Sequence, residues 1–268
     1  MRSARRLRFL ILPALVLAPA SFAQTSSTVA IPNFNFEPGN TARWTGTGEL
    51  GFAAARGNST SENANAKLRV AYEDRDWRHE FNLTGLRASS EVNIGTDEEP
   101  ERVRETTANR YQVGASSAIK YNEVSYWKSS LRHEHDDFAA YRWQSTFAVA
   151  YGRVLMRDDA GRFLALEAGP GYRRARDVEE EETENGPIAR GYVDFRYPLT
   201  DNTSLINTLL VESGQDNTFA QNDLGLQVTM TERMALKAGF QARHNTDVQD
   251  GRENTDRLTT VNLVYDFE

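Results

Sequence analysis

The stretch TVNLVYDFE, residues 260–268, decides the fold. Its larger apolar side chains stand at every second position, namely Val261, Leu263, Tyr265 and Phe267. A period of two predicts a strand with one apolar face, because successive side chains point to opposite sides of a sheet. A segment left in water is usually polar and mobile instead. The stretch is therefore predicted to be a strand paired within a sheet.

The same alternation recurs upstream, with polar or small residues in the intervening positions. The clearest predicted strands cover residues 64–72, 77–84, 111–121, 141–151, 164–172, 193–197, 224–230 and 234–242, and weaker patterns cover 44–55, 124–133 and 204–212. With the stretch at 260–268 these make twelve strands. An even number of strands is expected of a bacterial single-chain membrane barrel.

The predicted connections alternate between short and long. Short polar turns are predicted at 73–76, 122–123, 157–161, 198–202 and 231–233, and longer loops at 56–62, 89–107, 134–139, 174–187, 213–221 and 244–255. Outer-membrane barrels have short periplasmic turns and longer outer loops. A soluble β-sandwich or lipocalin-like barrel would share the alternation within strands, because the sequence does not reveal which face is outside. The order of connections and the tyrosines and tryptophans at strand ends favour an all-β, transmembrane, antiparallel up-and-down barrel of about 12 strands.

The first 23 residues have the features of a secretory signal peptide. Arg2, Arg5, Arg6 and Arg8 precede the apolar run 9–20, and Ser21-Phe22-Ala23 forms a small-x-small cleavage site. We expect a periplasmic segment at 24–42 and the barrel at 43–268. Loss of the four leader arginines would take the net charge from −7 to −11, which argues against a nucleic-acid partner. The absence of cysteine excludes a disulfide framework and thiol chemistry.

The run WTGTGELGFAAARGNST, from Trp44 to Thr60, resembles the opening of the salt-induced outer-membrane protein family. The resemblance implies an outer-membrane barrel with no established activity, and a link to salt or osmotic conditions that comes from the family name alone. Val261, Leu263, Tyr265 and Phe267 resemble the signal by which the outer-membrane barrel assembly machinery recognises its substrates. In this sequence Glu268 follows the aromatic residue that usually ends that signal.

Charged residues at alternate strand positions are the candidates for the barrel lumen. The principal ones are Lys67, Arg69, Arg110, Arg142, Glu167, Arg190, Asp194, Arg196, Lys237 and Arg243. Twelve strands would enclose a lumen between that of a filled eight-stranded barrel and that of an open porin. A narrow pore for small ions and a closed structural barrel both remain open. The expected partners are outer-membrane lipids, the assembly machinery and small ions, and no cofactor is expected.

The four histidines leave an enzymatic alternative. His133, His135, Asp136 and Asp137 lie at one predicted loop, and His244 and Asp247 lie at another. If the two loops met, a protease-like rim hydrolase or a divalent-cation site could form. Nothing in the sequence marks the lipid-facing Ser–His pair that a barrel lipase would need. Because wet loop tips are commonly rich in such residues, we expect a non-enzymatic protein.

Overall fold

The computed structural model describes residues 42–55, 61–93, 102–139, 141–178, 182–248 and 253–267. They form one closed barrel of twelve antiparallel strands, each paired with its neighbours in sequence. The strands are β1 (Arg43–Ala55), β2 (Ser61–Glu73), β3 (Trp77–Asn93), β4 (Arg102–Lys120), β5 (Ser125–Asp136), β6 (Tyr141–Arg157), β7 (Phe163–Asp177), β8 (Thr183–Thr200), β9 (Thr203–Ser213), β10 (Thr218–Thr229), β11 (Met234–Asn245) and β12 (Thr255–Phe267). The predicted fold class and strand number are confirmed. The predicted signal peptide and nearly all of the predicted periplasmic segment lie outside the described residues.

The barrel closes where β12 pairs with β1. Six pairs form this seam, from Gly46 opposite Phe267 to Gly51 opposite Asn262. The Phe267 ring lies against Gly46, where a β-carbon would come within 2.1 Å of it. The stretch that predicted a strand is therefore the closing strand of the barrel.

The strands extend further than the alternation predicted, so the connections on the loop side are shorter. β3 continues to Asn93 and β4 begins at Arg102, whereas residues 89–107 were predicted as a loop. Likewise β5 continues to Asp136, which moves Glu134 and Asp136 from the predicted loop into the barrel wall. Polar residues near the strand ends point into the lumen, where ion partners stabilise them. Because these residues interrupt the apolar alternation, the sequence pattern did not show that the strands continue.

The outward face of the barrel is apolar, as the transmembrane assignment requires. Exposed outward side chains include Leu50, Phe52, Leu68, Phe81, Leu83, Leu131, Phe147, Leu166, Leu224, Phe240 and Leu263. Exposed aromatic residues lie at or near the short-turn end, at Trp44, Trp77, Tyr121, Trp127, Tyr197 and Tyr265. Tyrosine and tryptophan are enriched at membrane–water interfaces, because their side chains combine an apolar ring with a polar group. Among the described residues, no helix is long and apolar enough to cross a membrane.

Pro170 lies in the interior of β7, away from both ends of the strand. The pairs between β6 and β7 stop at Ala148–Gly171 and resume at Tyr151–Ala168, so the ladder is interrupted opposite Pro170. At Gly169 a β-carbon would lie 2.0 Å from the carbonyl oxygen of Val149. The glycine thus permits a close backbone approach where proline cannot donate a hydrogen bond.

One side of the barrel interior is filled by small residues and one large ring. Ala148, Ala150 and Ala165 are buried on the inner face of β6 and β7. Tyr126 is fully buried beside Gly152, where a β-carbon would come within 2.2 Å of the ring. Packing on this side leaves the open part of the lumen against the opposite wall.

Candidate functional site

Glu212 is the centre of an ion-pair cluster in the loop-side half of the lumen. It lies one residue before the end of β9 and is fully buried. Its carboxylate accepts a hydrogen bond from Arg190 Nη1 at 2.8 Å and another from Arg132. Arg132 also lies 3.2 Å from Glu134, two positions along the same face of β5. Successive side chains of a strand point to opposite faces, so the charged residues at every second position of β5 point into the lumen.

A second group of contacts spans the width of the lumen. Arg243 of β11 donates to Glu134 of β5, and its other terminal nitrogen lies 3.1 Å from Asp136. β5 and β11 are six strands apart in either direction around the closed barrel, so they face each other. Arg110 approaches Asp136 at 3.9 Å and donates to Gln241 at 2.7 Å. We call the six charged residues Arg132, Glu134, Asp136, Arg190, Glu212 and Arg243 the lumen cluster.

An aromatic ring supports two cations of the lumen cluster. Phe219 of β10 is fully buried, with the guanidinium carbons of Arg132 and Arg243 at 4.9 and 5.2 Å from its ring centroid. Cation–π attraction is stronger when the ion is removed from water. The ring therefore holds both arginines in the cluster while it fills space between them.

Further ion pairs line the half of the lumen nearer the short turns. Glu73 lies 2.7 Å from both Arg78 and Lys120, and all three side chains are buried. Other close pairs include Arg69–Glu80 at 2.6 Å and Lys128–Glu167 at 2.9 Å, and Tyr126 donates to Glu167 at 3.0 Å. These pairs neutralise much of the lumen charge, as expected of charges buried in a protein interior.

A cavity of about 330 Å³ with both polar and apolar groups in its wall lies within the lumen. Its wall includes the Glu49–Lys237 pair, at 2.8 Å, and Asn262, which donates to Glu49 at 3.1 Å. Lys67 and Asp223 also line it, together with threonine, asparagine and glutamine side chains. The wall thus offers charges of both signs and many hydrogen-bonding groups to water and small solutes.

The structure places most of the candidate lumen residues inside the barrel. Lys67, Arg69, Arg110, Arg196 and Lys237 line the cavity, Arg190 and Arg243 belong to the lumen cluster, Glu167 pairs with Lys128, and Asp194 shares the inner face of β8 with Arg190 and Arg196. Arg142 differs: it is exposed at the register shift between Tyr141 and Trp143, because the bulge displaces it from the inward period.

Sequence reasoning missed the central acids and one base of the lumen cluster. Arg132 and Glu212 lie on strands whose alternation was weak, and Glu134 and Asp136 were predicted in a loop. The missed signal is the charged period of β5 itself, where Lys128, Arg132, Glu134 and Asp136 stand at even positions against Trp127 and Leu131 at odd ones. A search for charged as well as apolar alternation would have found it.

The histidines of the two predicted loops do not come together. His133 and His135 point outward from β5, whereas His244 points outward from β11 on the opposite side of the barrel. Asp136 points inward to Arg243. The histidines stay apart because six strands separate β5 from β11. The segment after β11 does reach the wall formed by β6 and β7, where Val248 packs against Tyr141 and Ala175.

Each rim group has a local hydrogen-bond partner instead. Hydrogen bonds from Asn109 and from His135, which lies 2.9 Å away, hold the pKa of Asp137 below its ordinary value. The backbone nitrogen of Asp247 donates to Asn217, and His244 lies 2.9 Å from Thr255. Within the described ranges, no group of three or more histidine, aspartate or glutamate residues is placed to hold a metal ion.

An outward Ser–His contact, which the sequence did not mark, is present on β5 and β6. His133 Nδ1 lies 2.8 Å from Ser145 Oγ, because the two residues are direct cross-strand partners. The other neighbours of the imidazole are the rings of Tyr111 and Trp143. Nucleophilic catalysis needs a third group that orients the base, and the described residues show no carboxylate contact to this histidine. The cross-strand pairing of His133 with Ser145 is enough to explain why these two side chains touch.

Solved structures with a similar arrangement of strands include a translocator domain and an outer-membrane channel. The translocator domain of the autotransporter NalP from Neisseria meningitidis is 12% identical, with a TM-score of 0.47 over 86% of this chain and 89% of that one. An outer-membrane channel from Pseudomonas putida F1 is 12% identical, with a TM-score of 0.47 over 88% of this chain and 99% of that one. Likenesses at this level do not bear on function.

Among curated proteins, no sequence matches this chain. A family model covers nearly the whole barrel, from residue 48 in β1 to residue 267 at the end of β12. Its description is "Protein of unknown function, DUF481", and the chain belongs to that family.

Proposed function

We propose that the protein is a non-enzymatic outer-membrane barrel that acts as a narrow pore for small ions. The observation that carries the proposal is the cavity of about 330 Å³, with charged and hydrogen-bonding groups in its wall, beside the lumen cluster and inside a closed barrel with an apolar outer face. Charged groups that line a channel determine which ions enter it.

The lumen cluster is the proposed constriction. The contacts from Arg243 to Glu134 and Asp136 join opposite walls, and Phe219 fills space beside them. Ions must pass around these buried side chains or displace them. Conductance should therefore be low in the native protein and should rise when a side chain of the cluster is shortened.

Single-channel recording of the refolded mature protein in a planar bilayer tests the proposal. We expect small discrete steps from the native protein and larger steps from Arg243→Ala, since this change removes the contact between opposite walls. The matched control is Arg104→Ala, because Arg104 pairs with Glu62 on the outer surface of the wall. Silence from both the folded native protein and Arg243→Ala would refute a pore.

Export and assembly are part of the same proposal. We infer that the leader at 1–23 directs export and that Val261, Leu263, Tyr265 and Phe267 are recognised by the barrel assembly machinery. These four side chains share the outward face of β12, and Phe267 closes the seam against Gly46. Phe267→Ala should lower the assembled fraction in cells, measured as the heat-modifiable band in gel electrophoresis, while Phe52→Ala should leave it unchanged. Equal assembly of the two variants would contradict the signal role.

The salt or osmotic role rests on the resemblance of the opening to the salt-induced family. Expression from a reporter fused to the promoter of the gene that encodes this protein, measured across a range of sodium chloride concentrations, tests the salt role. Constant expression would remove the salt link and leave the pore proposal intact.

A further inference from the structure

The lipid-facing surface of the barrel has a groove that the pore does not use. It crosses β1 to β4, has a volume of about 550 Å³ and is mostly apolar. One row of register partners forms its floor and sides: Leu50, Ala66, Gly85 and Tyr111. At Gly85 no atom lies within 4 Å of the place where a β-carbon would stand. The groove therefore has a floor of small residues between large side chains.

The next row toward the long connections closes this end of the groove and contains two polar side chains. Its members are Phe52, Ala64, Arg87 and Asn109, again direct partners across four strands. Arg87 is exposed on the outward face, and the structure gives it no ion pair within the described residues. Two carboxylates close to this row have partners of their own, since Glu62 pairs with Arg104 and Asp137 accepts a hydrogen bond from Asn109.

An unpaired guanidinium on a lipid-facing wall favours an anion at the level of the lipid headgroups. Arginine in contact with lipid is costly unless it reaches the interface or an anionic partner. Guanidinium groups match phosphate in geometry and charge. The row that contains Arg87 is nearer the longer connections than the apolar row that contains Gly85. One molecule with an anionic head and an apolar chain therefore fits both rows.

We propose that this groove is a specific site for a phosphate-bearing lipid. One acyl chain lies along Ala64, Ala66 and Gly85, between Phe52 and Tyr111, and the phosphate binds Arg87. The site is separate from the lumen, so it stands or falls independently of the pore. The charge of Arg87 selects the headgroup and the small-residue floor selects an acyl chain.

Native mass spectrometry of the mature protein in detergent micelles tests the site, with phosphatidic acid and diacylglycerol of the same chains as probes. We expect native protein to retain phosphatidic acid in preference to diacylglycerol. Arg87→Gln removes the charge and should require about tenfold more phosphatidic acid for equal occupancy. Gly85→Leu fills the floor and should lower occupancy similarly, and Ala66→Leu fills the same floor if the first variant does not fold.

Two variants on other strands are matched controls. Arg142→Gln removes an exposed arginine near the loop end of β6, and Gly191→Leu adds a side chain on β8, where a β-carbon would also meet no atom within 4 Å. Both should bind as native protein does. Unchanged binding in Arg87→Gln or in the floor variants, equal loss in the controls, equal retention of diacylglycerol, or full displacement by inorganic phosphate would each overturn the proposal.

Discussion

Replacing Glu212 by glutamine tests whether the lumen cluster holds the barrel together. The amide keeps the shape of the side chain but removes the charge that faces both Arg190 and Arg132. Arg132 keeps a carboxylate partner, since Glu134 lies 3.2 Å from it. Arg190 has no other carboxylate among the contacts that the structure records for it, so its buried cation loses its counter-charge.

The expected cost follows from this asymmetry. Removing one partner of a buried ion pair costs roughly 3–5 kcal/mol, because the remaining charge is left in a poorly solvated place. Since one of the two arginines keeps a partner, we expect the lower end, about 3 kcal/mol. Glu62→Gln is the control, because its pair with Arg104 lies on the outer surface and exposed pairs contribute about 0–1 kcal/mol.

Urea unfolding of the two variants and the native protein, refolded in lipid vesicles and followed by tryptophan fluorescence, measures the difference. Arg190→Gln combined with Glu212→Gln should recover part of the lost stability, since it removes the unpaired cation. A loss for Glu212→Gln no larger than that for Glu62→Gln would refute the reasoning, because it would mean that water in the lumen screens the cluster.

Three further predictions concern packing and a turn. Phe219→Ala should cost about 3–5 kcal/mol in the same urea assay and should raise single-channel conductance, because it empties a fully buried site between two arginines; unchanged stability would contradict this packing role. Gly152→Ala should be markedly destabilising, because the added carbon displaces Tyr126, whereas Gly191→Ala should be tolerated, and equal effects would contradict the assigned contact. Backbone hydrogen bonds from Trp77 and Asp76 lower the pKa of Asp74. Its ionised carboxylate therefore stabilises the turn fully when the pH is above the ordinary carboxyl pKa of about 4, and this contribution is lost as the pH falls through the lowered pKa. The stability difference between native protein and Asp74→Ala should therefore shrink on acidification, and a constant difference from pH 7 to pH 2 would contradict it.

The barrel could be predicted because its determinants are local. Alternation along one strand reports which side chains share a face, and it gave the correct strand number even where single segments were weak. The order of short and long connections then favoured a membrane barrel. The strand ends were predicted too short, as at Asn93 and Arg102, because polar residues near the loops break the apolar period without ending the strand.

The lumen cluster could not be predicted with the same success. Glu134 and Arg243 are 109 positions apart in the sequence, and nothing local to either one indicates the other. Arg142 follows the inward period of its strand but lies at a bulge, which depends on the partner strand. The two groups of rim histidines looked like one site only while the distance around the barrel was unknown.

The sequence by itself determined the twelve strands, the side chains that share each face and the order of short and long connections, because strand periodicity and turn chemistry are properties of neighbouring residues. The tertiary structure alone decided which charges neutralise one another, which histidines remain apart and where a groove opens to the lipid. Closure at the seam between β1 and β12 sets the position of every strand around the barrel. Contacts across the lumen follow from that closure, and no single strand encodes them.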